Sequence, residues 1–184
     1  CYDVGTDLAP TPNIQSLCDR GVVFENMWSA PICSPTRASI MTGRFSYRTG
    51  VGGLIQPGHP GLSLEEWSIP KVLDANPQLG YSHACIGKWH VGPAGNKAHP
   101  NDMGFEHFSG LLIGGVQSYT QWNETTDGET ENCTEYATSR HVDRALTWLS
   151  EQQSPWFLWL ALISPHTPFH LPLAELHSYG DLSG

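Results

Sequence analysis

The sequence predicts an α/β fold with a mostly parallel central sheet and helices on both faces. Three observations carry this expectation. "SHACIGKW" (82 to 89) and "PWFLWLALIS" (155 to 164) are continuous apolar segments, the pattern of strands buried on both faces. Helical segments alternate with them, as βαβ units require. Polar clusters at 33–37, 88–90 and 166–170 each follow a predicted strand, and sites in such sheets gather at the carboxyl ends of strands.

The elements follow in order. "TPNIQSLCDRG" (11 to 21) reads as a helix capped by Thr11, with Pro12 in its first turn and Gly21 at its end. "VVFENMW" (22 to 28) is strand-like. A second helix starts around Cys33 and Pro35 and closes at Gly43, which places Cys33 just before a helix N-terminus, where anions are favoured. "SIPKVLDAN" (68 to 76) is helical. Residues 92–135 form a long polar excursion, with weak strand signals at 108–119. The clearest helix spans 136–153, with Ala137, Val142, Ala145, Leu146 and Leu149 as its apolar face. The loop "PHTPFHLP" (165 to 172) follows the last strand.

The 184 residues, 39% hydrophobic and 15% charged, suit one globular domain with a core. The longest apolar run, 156–163, is too short to span a membrane. The net charge of −9 argues against nucleic acid, which needs clustered Lys and Arg. Residues 31–90 depart from that balance. Arg37, Arg44, Arg48, Lys71 and Lys88 outnumber Glu65, Glu66 and Asp74 there, giving +2 and suiting a small-anion pocket. Five cysteines without a CxxC pair disfavour structural zinc; four of them could form two disulfides. The sequons at Asn123 and Asn132 lie in one polar segment and fit N-glycosylation in a secretory, lysosomal, extracellular or periplasmic setting. The sequence begins at Cys1 without Met or leader, as expected of a processed chain or a piece of a longer one.

Three clusters can carry chemistry. The first is Cys33-x-Pro35-x-Arg37, with Thr42-Gly43 at a fixed distance beyond it. The second is "GYSHACIGKWHVG" (80 to 92). Its Lys88 and His90 share a face of an extended chain and can reach one anion together. The third is His166 and His170. Their spacing mimics a helical metal pair, but Pro165, Pro168 and Pro172 argue against a helix. Cys85 and the tryptophans at 148, 156 and 159 read as core, and Trp89 as packing beneath the site.

"CSPTRASIMTGR" and "GYSHACIGKWH" together resemble the two signatures of the type I sulfatases. "TPNIQSLCDRGVVFENMWSA" and "LISPHTPFHLP" resemble the flanking pattern, in the same order. The resemblance implies an alkaline-phosphatase/sulfatase-like α/β fold. It makes residues 1–184 the N-terminal to central portion of a catalytic domain, without the family's first Asp-Asp strand and its C-terminal part.

It further implies a sulfuric ester hydrolase acting on a sulfated small molecule or glycan. Cys33 would be converted to formylglycine by a formylglycine-generating enzyme that reads Cys-x-Pro-x-Arg. The hydrated aldehyde would attack sulfur. Arg37 would hold the formylglycine oxygens, and Lys88 would bridge them to the sulfate. His90 would act as base. His166 would bind sulfate or protonate the leaving oxygen, and His170 would lie nearer the substrate. The family's divalent cation, usually calcium, would rest on Cys33 as formylglycine and on Asp and Asn ligands. Asp3 and Asp7 do not match the Asp-Asp pattern, and the other ligands are not in this chain. The alternatives are a phosphodiesterase or phosphonate monoester hydrolase of the same superfamily, or an inactive truncated chain that only binds.

Overall fold

The computed structural model describes residues 11–177. Asp3 and Asp7 lie outside them. The chain divides into two compact units, residues 1–30 and 31–184.

In the first unit, α1 (Pro12–Arg20) forms where Pro12 and Gly21 predict it. The strand expected at 22–28 does not form; turns and irregular backbone replace it. Among the described residues no strand pairs with this segment, and an apolar run without a partner has no ladder to join. Within this unit Val22, Phe24 and Trp28 are exposed.

The second unit contains α2 (Cys33–Thr42), α3 (Ile69–Asp74), β1 (Ser82–Lys88), α4 (His99–Asp102), β2 (His107–Leu111), β3 (Trp122–Thr126), β4 (Glu129–Cys133), α5 (Ala137–Ser150) and β5 (Trp156–Ala161). The sheet order is β4-β3-β2-β1-β5. β1 runs parallel to β2 and to β5, while β2–β3 and β3–β4 are antiparallel. The sheet is therefore mixed, because the excursion at 92–135 folds back as a hairpin. Asp127 and Gly128 have φ of 46° and 91°, and two consecutive positive φ values make the tight turn whose twist matches a hairpin.

Helices cover both faces of the sheet. Ala38 and Met41 of α2 pack with Cys85, Trp89 and Phe108 in one core. Ala137 of α5 belongs to a second core with Leu111, Trp122 and Ile163, and α5 crosses β1, β2 and β5. Two burial expectations change. The buried stripe of α5 is Ala137, His141 and Ala145, spaced by four, whereas Leu146 is exposed. β5 is only partly buried: Trp156 and Leu160 are exposed, because it is the sheet's edge strand. Trp159 does pack on the core, in edge contact with Trp89 at 5.9 Å between ring centroids.

Cys33, Cys85 and Cys133 are free thiols and Cys18 is disulfide-bonded, so the two bridges that four cysteines allowed do not both form. Burial pushes the Cys85 thiol far up and keeps it protonated, as suits a core position.

Candidate active site

α2 presents Cys33 at its first turn. Ile32 enters in extended backbone as the N-cap (φ −136°, ψ 165°), so Cys33 is the first helical residue rather than the one before it. Its side chain is half-buried and sits where the unpaired N–H groups of a helix start create a positive field. One turn further, Arg37 occupies the same helix face. Its guanidinium donates to the Lys88 carbonyl and lies over the Trp159 ring, 5.6 Å from the centroid.

β1 delivers the second group. Lys88 is its last residue, 3% exposed, and its ammonium lies near enough to Cys33 to be affected by it. Burial lowers its pKa, Cys33 offsets part of that, and the neighbouring Arg37 charge lowers it further. His90 follows two residues on, but its backbone is left-handed (φ 52°) rather than extended. The pair converges on Cys33 through this turn, not through strand alternation. His90 Nδ1 lies 3.1 Å from Cys33 Sγ, and the ring also hydrogen-bonds the Ile55 backbone. A neutral imidazole has one donor and one acceptor nitrogen. Nδ1 is the ring nitrogen that faces Cys33. Burial first, then the Lys88 charge, holds His90 at a pKa of about 4, so it is neutral at pH 7.

His166 follows β5. Its backbone is fixed by a bond from its N–H to the Ile163 carbonyl (3.0 Å) and by the Tyr119 hydroxyl, which donates to its carbonyl at 2.6 Å. Its ring lies close enough to add to the positive surroundings of His90. Gly114 and Gly115 bring the two imidazoles together. A Cβ on Gly114 would come within 2.5 Å of His90 Cε1, and one on Gly115 within 3.0 Å of His166 Cε1. Sequence reasoning missed both positions, although "GG" at 114–115 was a readable sign of close approach. His170 is engaged elsewhere: Nε2 meets the Tyr136 hydroxyl at 2.9 Å, Nδ1 the Pro168 carbonyl at 3.1 Å, and the ring lies tilted against Tyr119, 4.1 Å between ring centroids.

Among the described residues, no carboxylate pairs with Arg37 or Lys88. The surroundings of Cys33 thus carry two cations, Lys88 buried and Arg37 half-buried, and a neutral imidazole, which suits a tetrahedral anion and does not by itself fit a calcium ion. A possible metal-ligating group, Asp74, His83 and Glu106, lies at the other end of β1. Its hydrogen bonds already close on themselves. His83 Nε2 meets Asp74 at 2.9 Å, and His83 Nδ1 accepts from the Glu106 N–H at 3.2 Å. It ties α3 to β1, in keeping with a structural His83. Asn123 and Asn132 are exposed and directly opposite each other on β3 and β4, so the sequons sit on a hairpin rather than in a loop.

These features define an α/β protein with a cationic, helix-capped centre at the carboxyl end of a central parallel strand. A family model described as "Sulfatase" matches residues 4–177, and the chain belongs to that family. It is 30% identical to arylsulfatase J of Mus musculus over 179 residues, covering 88% of this chain and 29% of that protein. It is 26% identical to an arylsulfatase of Klebsiella aerogenes, covering 89% and 39%. The chain therefore spans roughly a third of the length of these relatives. Among solved structures, Ps i-CgsB in complex with k-i-k-neocarrahexaose is similar at TM-score 0.65 and 28% identity, over 75% of this chain and 36% of that one. BT4656 in complex with its substrate D-glucosamine-2-N,6-O-disulfate is similar at TM-score 0.66 and 26% identity, over 85% and 30%.

Proposed function

We propose that this chain carries the nucleophile side of a sulfatase active centre, residues 1–184 being the N-terminal to central portion of the catalytic domain, and that the whole protein hydrolyses sulfate monoesters. One observation supports this above the others: Cys33 Sγ at a helix N-terminus, 3.1 Å from Nδ1 of a neutral His90 and beside the buried Lys88.

In this reading Cys33 is the precursor of formylglycine, and Sγ marks where an oxygen of the hydrated aldehyde stands. One hydroxyl of the hydrate loses its proton to water and attacks sulfur, the S–O bond to the alcohol breaks, and His166 gives the leaving oxygen its proton. His90 then takes the proton of the second hydroxyl. The aldehyde re-forms and sulfate leaves with the electron pair of the C–O bond. Lys88 stabilises charge on the sulfate oxygens. Arg37 fixes the Lys88 carbonyl and holds the formylglycine oxygens. His170, tied to Tyr136 and Tyr119, lies on the substrate side of the centre. Calcium, which the resemblance implies, needs oxygen ligands that the described residues around Cys33 do not provide. Those ligands would come from outside residues 11–177.

The sequons at Asn123 and Asn132 support a secretory, lysosomal, extracellular or periplasmic setting, and none of the described helices is long and apolar enough to cross a membrane. A formylglycine-generating enzyme is the maturation partner that Cys33, Pro35 and Arg37 would engage.

The test is peptide mass spectrometry of the full-length protein over residues 21–37. Conversion lowers the Cys33 peptide by roughly 18 Da, and Cys33→Ala abolishes aryl sulfate hydrolysis. Active enzyme with an unmodified cysteine would overturn the mechanism. A large preference for aryl phosphate over the matched aryl sulfate would move the assignment to the phosphoester side of the superfamily.

A further inference from the structure

We propose that the cleft beside His90 receives the alcohol portion of the substrate and selects an apolar, hydroxyl-poor alcohol over a sugar. This rests on the sulfate-ester reading above. The cleft has a volume of about 620 Å³, within the usual range for a small-molecule site. His90 and Gly114 line it, and His90 Nδ1 lies 3.1 Å from Cys33 Sγ, so the cleft adjoins the Cys33 centre through His90. Its walls are Ile55, Pro57, Pro60, Pro93, Leu112 and Ile113, and none of its described lining residues is charged.

The polar capacity of the cleft is small. Among the described residues, besides His90, only Gln56 and His59 bring polar side chains. His59 has already spent Nδ1 on the Gly61 N–H, at 2.9 Å. A sulfated hexose would carry several hydroxyls into this space, and a buried hydroxyl without a partner is costly. A cyclic or aromatic hydrocarbon alcohol loses no hydrogen bond there and gains apolar burial.

The walls are also set before binding. The Leu62 N–H donates to the Val91 carbonyl at 2.8 Å. A Cβ on Gly61 would meet Gly92 Cα at 2.8 Å, so the backbones of the two walls touch. Pro57, Pro60 and Pro93 fix φ in these loops. The hollow next to the cleft, about 450 Å³, is the polar one. Lys97, Gln117, Gln121 and Thr125 line it, but His90 does not. Sugar-binding chemistry is therefore present nearby but does not open on the reacting centre.

The experiment uses full-length protein whose formylglycine content has been verified. Cyclohexylmethyl sulfate and glucose 6-sulfate are both primary alkyl sulfates on a six-membered ring, so their leaving groups are similar and their hydroxyl content is not. Each competes against 4-nitrophenyl sulfate, which defines their relative kcat/KM even when turnover is slow. The cyclohexyl ester should win by about 100-fold, and Ile113→Asn should shrink that ratio by about tenfold. Equal or better use of glucose 6-sulfate would overturn the cleft proposal while leaving the sulfatase reading intact. Absence of any 4-nitrophenyl sulfate hydrolysis by the modified enzyme would instead remove the sulfatase reading on which it rests.

Discussion

Two places in this fold bury charge, and they do so in opposite ways. At the hairpin, Glu124 is fully buried. Burial opposes its ionisation, yet hydrogen bonds from Arg140, Arg144 and Ser109 outweigh that and hold its carboxyl below the ordinary range. Arg140 Nη2 and Arg144 Nη2 donate to it at 2.9 and 3.2 Å, and Ser109 Oγ at 2.9 Å. The charge is closed by the protein. At the Cys33 centre, a half-buried Arg37 and a buried Lys88 lie close together, burial lowers the pKa of both, and no described carboxylate answers them. A fold that leaves two cations unanswered is less stable for it, and the arrangement makes sense when a ligand anion completes it.

Substitution should separate the two. Glu124→Gln leaves Arg140 and Arg144 facing a neutral partner and should cost about 3 kcal/mol, read as a lower midpoint in urea with an unchanged slope. The two arginines are partly exposed, which keeps the loss at the lower end of the range for breaking a buried pair. Lys88→Met should do the reverse. It should lower kcat/KM for an aryl sulfate by about 100- to 1,000-fold, as removal of a transition-state donor does. Stability should stay level or rise, because an uncompensated buried charge has gone. If Lys88→Met unfolds the protein as readily as Glu124→Gln, the contrast between the two regions fails.

A smaller effect comes from the glycine pair. Gly114 does not occupy a left-handed conformation, so alanine is acceptable to the backbone there. Its methyl would press on the His90 ring at 2.5 Å and move Nδ1 away from Cys33. Gly114→Ala should therefore lower kcat about 100-fold with little change in thermal midpoint. Gly115→Ala meets the exposed His166 ring at 3.0 Å, which can yield, and should cost about tenfold. Equal activity in wild type and Gly114→Ala would mean that the His90 position does not limit the reaction.

The sequence disclosed the helix at Cys33, the strand ending at Lys88 and the strand before His166, because each couples a strong local pattern to a polar cluster at its end. It also placed Cys33, Arg37, Lys88 and His90 together, and the structure brings those four side chains into one centre. What it hid was non-local. The left-handed His90 depends on the Leu112 carbonyl, 22 residues away, which accepts its N–H. The hairpin at 122–133 is polar, since even the buried positions of β3 include Glu124 and Thr125, and its clearest signal was Asp127-Gly128. The partial exposure of β5 follows from strand order, which an apolar run does not encode.

His141 gives the smallest and most conditional effect. It is fully buried on α5, its ring edge-on to Trp122 at 5.2 Å, with neither ring nitrogen hydrogen-bonded. Burial lowers its pKa to about 4, with only partial opposition from Glu124. The unfolded chain protonates this imidazole near pH 6.5, whereas the folded chain resists until about 4. Above pH 6.5 the residue is neutral in both states and costs nothing. As pH falls from 6.5 towards 4 the unfolded state gains protons that the folded state refuses, and stability declines. The loss between pH 7 and pH 5 should be about 2 kcal/mol. His141→Phe keeps an aromatic ring against Trp122 and removes the titration, so its urea midpoint should fall less than that of the wild type over the same interval. Parallel declines in the two proteins would show that another group sets the acid sensitivity. Unlike Glu124, which two arginines hold in its charged form, His141 is held in its neutral form by burial alone. Acid should therefore loosen the α5 side of the sheet at a pH where the Glu124 pairs still hold.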